Sequence, residues 1–322
     1  RNVPERHRNL RKLFDQSWRL LAPLEQSVLR RASVFRGGWA LEEAAQVADA
    51  TLPILVGLVD KSLVRANGEG RFDLHELVRQ YAAEQLVASG ELDLIRQRHH
   101  EAYLQLFRIG DTHLRGQEGA AWYARLDAEQ DNLRAAIQWA LDEAHYANAA
   151  GLIVAATYFW MFGGSAYEET WWLARLLPHR AALIDDVRLE TLAAFIWAAQ
   201  GFEEFMPFGK SSAEISQYSA EILQLVEDCS DKVLKSFALN TLSLSVSTIS
   251  SIDSKVEGVK RALAWARAGN ESAGRSNLFG CMVDPGWVLA YILTNFGRFL
   301  IDQGEVTRAV PLVNEGLELM RA

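Results

Sequence analysis

A change of hydrophobic period constrains this chain more than any other feature. In RFDLHELVRQYAAEQL (71–86), Phe72 and Leu74 alternate with Arg71 and Asp73, the two-residue period of a half-buried strand. From Leu77 onward the apolar residues Leu77, Val78, Tyr81, Ala82 and Leu86 fall at helical spacing. The corner between them is Leu74-His75-Glu76. Just upstream, SLVRA (62–66) reads as another short strand, and Asn67-Gly68-Glu69-Gly70 supplies turn chemistry between the two. A hairpin must therefore feed directly into a helix.

Short helices lead into that hairpin. Leu10, Leu13, Phe14, Trp18 and Leu21 form one helical stripe over 8–21. Pro23 stands where a first-turn proline belongs, LEQSVLRRASVF continues as a second helix, and Gly37-Gly38 ends it. ALEEAAQVA (40–48) is a third, with Glu42 and Glu43 placed favourably against the helix dipole, and TLPILVGLVDKS (51–62) is a fourth. Ser89-Gly90 closes the helix after the hairpin. Four helices, a two-stranded wing and a closing helix outline a winged-helix domain over residues 1–97.

From His99 the pattern becomes helix after helix without strand signals. EAYLQLFRIG is one helix and AAWYARLDAEQDNLRAAIQWALDEA the next, and the remaining helices come in pairs. Residues 148–162 pair with 166–177, 187–200 with 212–227, and 231–249 with 252–267. The last pair lies in AYILTNFGRFLIDQGEVTRAVPLVNEGLEL (290–319). There Gly297, Gly304 and Ala309 occupy the small positions of a tetratricopeptide repeat, and Phe296, Leu300 and Val313 the large ones. The spacing between second helices exceeds the ideal of about 34 residues. Insertions such as EEFMPFGKSS (203–212) and GNESAGRSNLFGCMVDPG (269–286) take up the difference. The expected fold is mostly α: a winged helix, then a tetratricopeptide-like α-solenoid of helix pairs over 98–322, whose concave face suits binding.

These segments together resemble a known family. FDLHELVRQYA resembles the MHD segment that closes the winged-helix domain of STAND ATPases, the NB-ARC family of plant resistance proteins and apoptotic scaffolds. SVFRGGWALEEAAQVA (33–48), LVGLVDKSLV (55–64) and RLDAEQDNLRAAIQWAL (125–141) resemble a bacterial branch of that family. Its members are regulators with a nucleotide-binding domain, a winged helix and a tetratricopeptide array. The resemblance covers residues 5–180 well and the remainder loosely. Leu74 stands for Met and keeps an apolar anchor, whereas Glu76 stands for Asp and lengthens the carboxylate's reach.

On residue physics alone, His75 is a histidine at a strand end that helps to satisfy the start of the next helix. The resemblance implies more: in the intact protein His75 reaches the β-phosphate of ADP in a neighbouring ATPase domain and helps to hold a closed, inactive state. An imidazole suits that role because it can donate a hydrogen bond and, if protonated, add charge. ADP or ATP is thus implied for the intact protein and no cofactor for this chain. The implied partners are the missing nucleotide-binding domain and an inducer, protein or small molecule.

Other motifs are weaker. Gly209-Lys210-Ser211-Ser212 lacks the glycine five positions earlier that a phosphate loop needs, since Glu204 stands there, and no strand precedes it. Hydrolysis of ATP by this chain alone is not expected. His99-His100-Glu101 cannot present one metal-binding face, because helix neighbours point about 100° apart. Cys229 and Cys281 are too few for a disulfide framework, as in a reducing cytosol. No run of eighteen apolar residues spans a membrane. Opening on Arg1 without a signal peptide, the sequence reads as an excerpt of a longer cytoplasmic protein.

Charge bears on nucleic acid. Residues 1–100 hold 15 Lys and Arg against 13 Asp and Glu, while the remainder holds 18 against 28. The acidic larger part argues against broad nucleic-acid binding. A DNA-reading winged helix is the rival reading, yet the helix before the wing is largely apolar and reads as one buried against protein. Only Arg65 and Arg71 on the wing stand ready for phosphate. For the inducer, the aromatic supply at 158–172 exceeds what two helices can bury. Tyr158, Phe162, Trp171 and Trp172, with Glu168 and Glu169 alongside, are the candidate ligand-binding residues.

Overall fold

The computed structural model describes residues 5–67, 70–163, 165–199, 212–244, 251–272, 276–278 and 281–321. Two compact units emerge from its packing, one of Arg1–Leu106 with Ala124–Ala144, the other of Phe107–Tyr123 with His145–Ala322. Residue 97, where the sequence reading divides the domains, falls inside a helix.

The first unit begins with α1 (Glu5–Arg19) and α2 (Pro23–Ala32), where Pro23 opens the helix and Glu25 reaches back to the Ala22 N–H at 2.9 Å. A short strand β1 (Trp39–Ala40) runs into α3 (Leu41–Ala48), followed by α4 (Leu52–Asp60). Strands β2 (Arg65–Ala66) and β3 (Arg71–Asp73) form the hairpin, and α5 (Glu76–Ser89) leaves it at once. Phe72 and Leu74 are buried and Arg71 and Asp73 half-buried, as the two-residue period requires. Gly90, at φ 75°, ends α5 in the left-handed conformation that glycine adopts without a Cβ penalty.

The expected two-stranded wing is a three-stranded antiparallel sheet in the order β1-β3-β2. Trp39 pairs with Phe72 and Ala40 with Arg71. Two residues carry no period, so β1 is invisible to pattern reading. Gly38 makes its approach possible: at φ +88°, a Cβ there would lie 2.9 Å from the Phe72 carbonyl oxygen. The core of this unit joins Phe35, Trp39, Leu55, Leu58, Leu86 and Tyr103, all at most 1% exposed.

Helix α6 (Leu92–Leu114) comes next, then α7 (Gly119–Asp127) and α8 (Gln130–Asp142). The single helix expected over 120–144 is thus broken at Ala128-Glu129, where the Glu129 side chain turns inward.

The second unit is a succession of helix pairs. Helices α9 (Tyr146–Ala155) and α10 (Thr157–Phe162) pair with α11 (Ala166–Leu176), α12 (Asp185–Ala199) with α13 (Ser212–Asp228), α14 (Lys232–Leu244) with α15 (Ile252–Asn270), and α16 (Pro285–Asp302) with α17 (Val306–Arg321). The first helices touch in order, α9 on α12, α12 on α14, and α14 on α16, which is the stacking of a solenoid. Small residues set the crossings. A Cβ on Gly297 would lie 2.4 Å from Val313 Cγ2, and one on Gly258 would lie 2.1 Å from Ser243 Oγ. One departure is a short antiparallel hairpin, β4 (Ser276–Leu278) with β5 (Cys281–Val283), inside the insertion at 269–286. Its buried Leu278 and Val283 anchor strands too brief for any period to register.

Candidate functional site

His75 occupies the corner between β3 and α5 as the N-cap residue of α5. Its Nδ1 accepts the Leu77 N–H at 3.2 Å, satisfying one of the four donors a helix start leaves unpaired. With Nδ1 accepting, the neutral ring carries its proton on Nε2. The residue is exposed, at the positive end of the α5 dipole, where an anion is favoured. Glu76 is engaged beside it: its carboxylate accepts from Arg79 Nε and Nη2 at 2.7 and 2.5 Å and from Gln80 at 2.7 Å. These contacts, the Arg79 one foremost, bring its pKa down to about 2.

Behind the wing lies a polar network that sequence reading missed. Glu129, 1% exposed, accepts from Arg71, from the Tyr103 hydroxyl at 3.0 Å and from Asn132 Nδ2 at 2.8 Å. Asn132 also donates to the Gly38 carbonyl at 2.7 Å, and its Oδ1 accepts the Arg36 N–H at 2.6 Å. His99 Nε2 lies 3.3 Å from the same Oδ1, and burial brings the His99 pKa down to about 3, so the ring is neutral. Arg125 reaches Glu42 at 2.8 Å and the buried Glu43 at 3.4 Å. Segments 33–48, the wing and 125–141 therefore meet around one asparagine and one glutamate. A signal existed: Glu129 and Asn132 lie at helical spacing with buried Leu126, Leu133, Ala136, Ile137 and Ala140, polar residues on an apolar stripe.

Two expectations for this unit need correction. Arg71 is not an exposed cation; it turns inward to Glu129, leaving Arg65, paired with Asp73, on the outside of the wing. Helix α4 is not covered on most sides: Leu55 and Leu58 are buried, but Leu52 and Val56 are 50% and 46% exposed. Its neighbour Lys61 is paired with Glu25.

In the second unit the candidate aromatics separate. Trp172 is buried and donates its indole N–H to Glu168 at 3.3 Å. Trp171 is half-buried, edge-on to Trp172 at 4.5 Å, and the Arg175 guanidinium lies over both rings. Tyr158 is elsewhere, with the Arg115 guanidinium 4.7 Å from its ring and 4.4 Å from that of Trp287. Trp287 stacks on Tyr291, which meets Trp197 and Phe237, so this aromatic line draws on the first helices of all four pairs. The Phe162 side chain and residues 209–211 lie outside the described residues. Glu169 is fully buried with neither carboxylate oxygen in a hydrogen bond, and burial pushes its pKa well above the usual range, against a small pull from the Thr157 hydroxyl.

Cys229 is a buried free thiol. Among the described residues no group of three or more His, Cys, Asp and Glu could hold a metal, and no helix is long and apolar enough to cross a membrane.

No protein-family model matches the chain. Two proteins that carry the name of HTH-type transcriptional regulators, one from Mycobacterium tuberculosis H37Rv and one from Mycobacterium bovis, are each 34% identical over 207 residues. The match covers 60% of this chain and 23% of each relative, so the chain spans about a quarter of their length. Among solved structures, a STAND protein with a tetratricopeptide repeat sensor from Pyrococcus horikoshii aligns over 96% of this chain and 46% of its own, with 15% identity and a TM-score of 0.47.

Proposed function

We propose that this chain is the non-catalytic regulatory and sensor arm of a STAND-type signalling ATPase. In this reading residues 1–97 form a winged helix that couples to a nucleotide-binding domain of the same protein, and the helix pairs recognise an inducer. One observation carries it: His75 is held by Leu77 through Nδ1 while exposed at the start of α5, so Nε2 is free to donate to a phosphate from an adjoining domain. The exposed Leu52 and Val56 of α4 suit burial against that domain better than against DNA. In the longer protein, His75→Ala is expected to weaken ADP retention and raise basal signalling. Unchanged ADP release would remove the nucleotide role.

The rival reading, a DNA-binding winged helix with a partner-binding tail, draws on the mycobacterial names. Those names describe proteins about four times longer than the matched segment, so DNA binding need not reside in it. Against it stands the chemistry of the wing and of the helix before it, where Arg71 is engaged with Glu129 and Lys61, at the end of α4, with Glu25. This chain is expected not to shift duplex DNA at micromolar concentration and about 100 mM salt. A shift abolished by Arg65→Ala would favour the rival.

A further inference from the structure

Helix α16 carries two stripes. Ile292, Leu293, Phe296 and Leu300 are buried, whereas Tyr291, Asn295, Arg298 and Asp302 recur at helical spacing on another face. That second stripe, with Lys255 of α15 and the Phe299 ring, lines a pocket of about 380 Å³. We propose that this pocket binds a small organic monocarboxylate.

The charges argue for an anion. Arg180, Arg261, Arg267 and Arg308 of this unit all meet carboxylates. The Lys255 ammonium and the Arg298 guanidinium make no ion pair or hydrogen bond with any described residue, although Asp and Glu outnumber Lys and Arg in the chain. Two cations without a partner among the described residues, lining one pocket, repel each other, and a bound anion relieves that repulsion. The donors are set as well. Trp197 Nε1 donates to the Tyr291 phenol oxygen at 2.7 Å and Asn295 shares a hydrogen bond with the same phenol, which fixes both side chains at the pocket wall. A carboxylate oxygen is a natural acceptor for the N–H groups of Lys255 and Arg298.

Charge balance selects the kind of anion. Lys255 and Arg298 against Asp302 leave the pocket one positive charge, which a carboxylate neutralises. A phosphate, at about −1.5 to −2, would exceed it beside Asp302. The volume is at the small end of ligand pockets, and Phe299 and Tyr291 offer ring surface to an apolar or aromatic body. This deepens the sensor reading by giving the helix pairs a ligand class.

The test is calorimetric titration of the 322-residue chain with benzoate, benzamide and inorganic phosphate. Benzoate is expected to saturate a single site, with benzamide and phosphate binding at least roughly tenfold more weakly. Arg298→Gln on the exposed face is expected to weaken benzoate by roughly tenfold, and Asp302→Asn to tighten it. Benzamide binding as well as benzoate, phosphate binding more tightly, an Arg298→Gln chain titrating like the native one, or no benzoate heat would each overturn the proposal. The titration needs no nucleotide domain, and ADP release from a His75→Ala protein needs no carboxylate, so the pocket and the sensor reading can fail separately.

Discussion

Glu129 in the first unit and Glu169 in the second are both buried carboxyls, 1% and 0% exposed, yet they are handled in opposite ways. Around Glu129 stand a guanidinium, a phenol and an amide, each donating to it. Burial pushes its pKa up and the Arg71 contact pulls it back. Around Glu169 the Thr157 hydroxyl opposes burial without a close hydrogen bond to either oxygen, and burial drives the carboxyl towards the neutral form. The first carboxyl joins segments far apart in sequence. The second lies in a solenoid layer where neighbouring helices supply mostly apolar surface. A buried charge is tolerable where a network completes it, and otherwise the group gives up its charge.

The sharpest way to break this comparison is to remove the guanidinium. Arg71→Ala leaves the Glu129 carboxylate buried without its counter-ion and is expected to destabilise the first unit by about 3–5 kcal/mol in denaturant unfolding. Pairing it with Glu129→Gln should recover part of that loss. A cost below about 1 kcal/mol for Arg71→Ala would mean that water reaches the pair.

Acid provides the next test. His99 has a folded-state pKa of about 3, below its ordinary value of about 6.5. The folded state therefore binds fewer protons between those limits. Its contribution is present above pH ~6.5 and lost as the pH falls towards 3, about 2 kcal/mol by pH 5. Hydrogen-exchange protection of α6 and α8 should decline over that window, and His99→Gln should flatten the decline.

Glu169 carries the opposite sign. Its folded pKa is raised, so its contribution is fully present below the unfolded value and lost as the pH rises through the folded one. Glu169→Met, of similar volume, is expected to stabilise the second unit at pH 7.5 by about 1–2 kcal/mol and to have a smaller effect at pH 5. Melting curves at the two pH values decide it; destabilisation by the Met variant at both would show that the carboxyl has partners after all.

The same contrast explains what was legible in the sequence. Helix pairs could be read because each is a local event: apolar residues at 3.6-residue spacing and small residues such as Gly297 where helices cross. The corner at His75 was legible for the same reason, a period of two giving way to 3.6 within three residues. Strands β1, β4 and β5 have two or three residues each and no period to read. The Glu129 network depends on Arg71, 58 residues away, and on Arg36, whose N–H meets Asn132 across 96 residues. Pattern reading marks such residues as polar intruders on an apolar stripe but cannot name their partners. Arg71 was misjudged for that reason, since a strand's alternation says which face a side chain takes and not what waits there.

The smallest expected effect isolates this point within a single hairpin. Arg65 and Arg71 are the same residue type, on neighbouring strands of one sheet, each paired with one carboxylate. They differ in solvent: the Arg65 and Asp73 side chains are 61% and 48% exposed, the Arg71 and Glu129 side chains 18% and 2%. In water the Arg65–Asp73 attraction is screened, and two long side chains lose rotamer freedom to make it. Arg65→Ala is therefore expected to change stability by no more than about 0.5 kcal/mol, within the scatter for exposed pairs. Adding Asp73→Ala should leave the total close to the sum of the single effects, because there is little coupling to lose. Urea unfolding of the four chains of that cycle gives the coupling directly. A value above about 1 kcal/mol would mean that the outer face of the wing is covered in solution, and that burial rather than residue type no longer separates the two arginines.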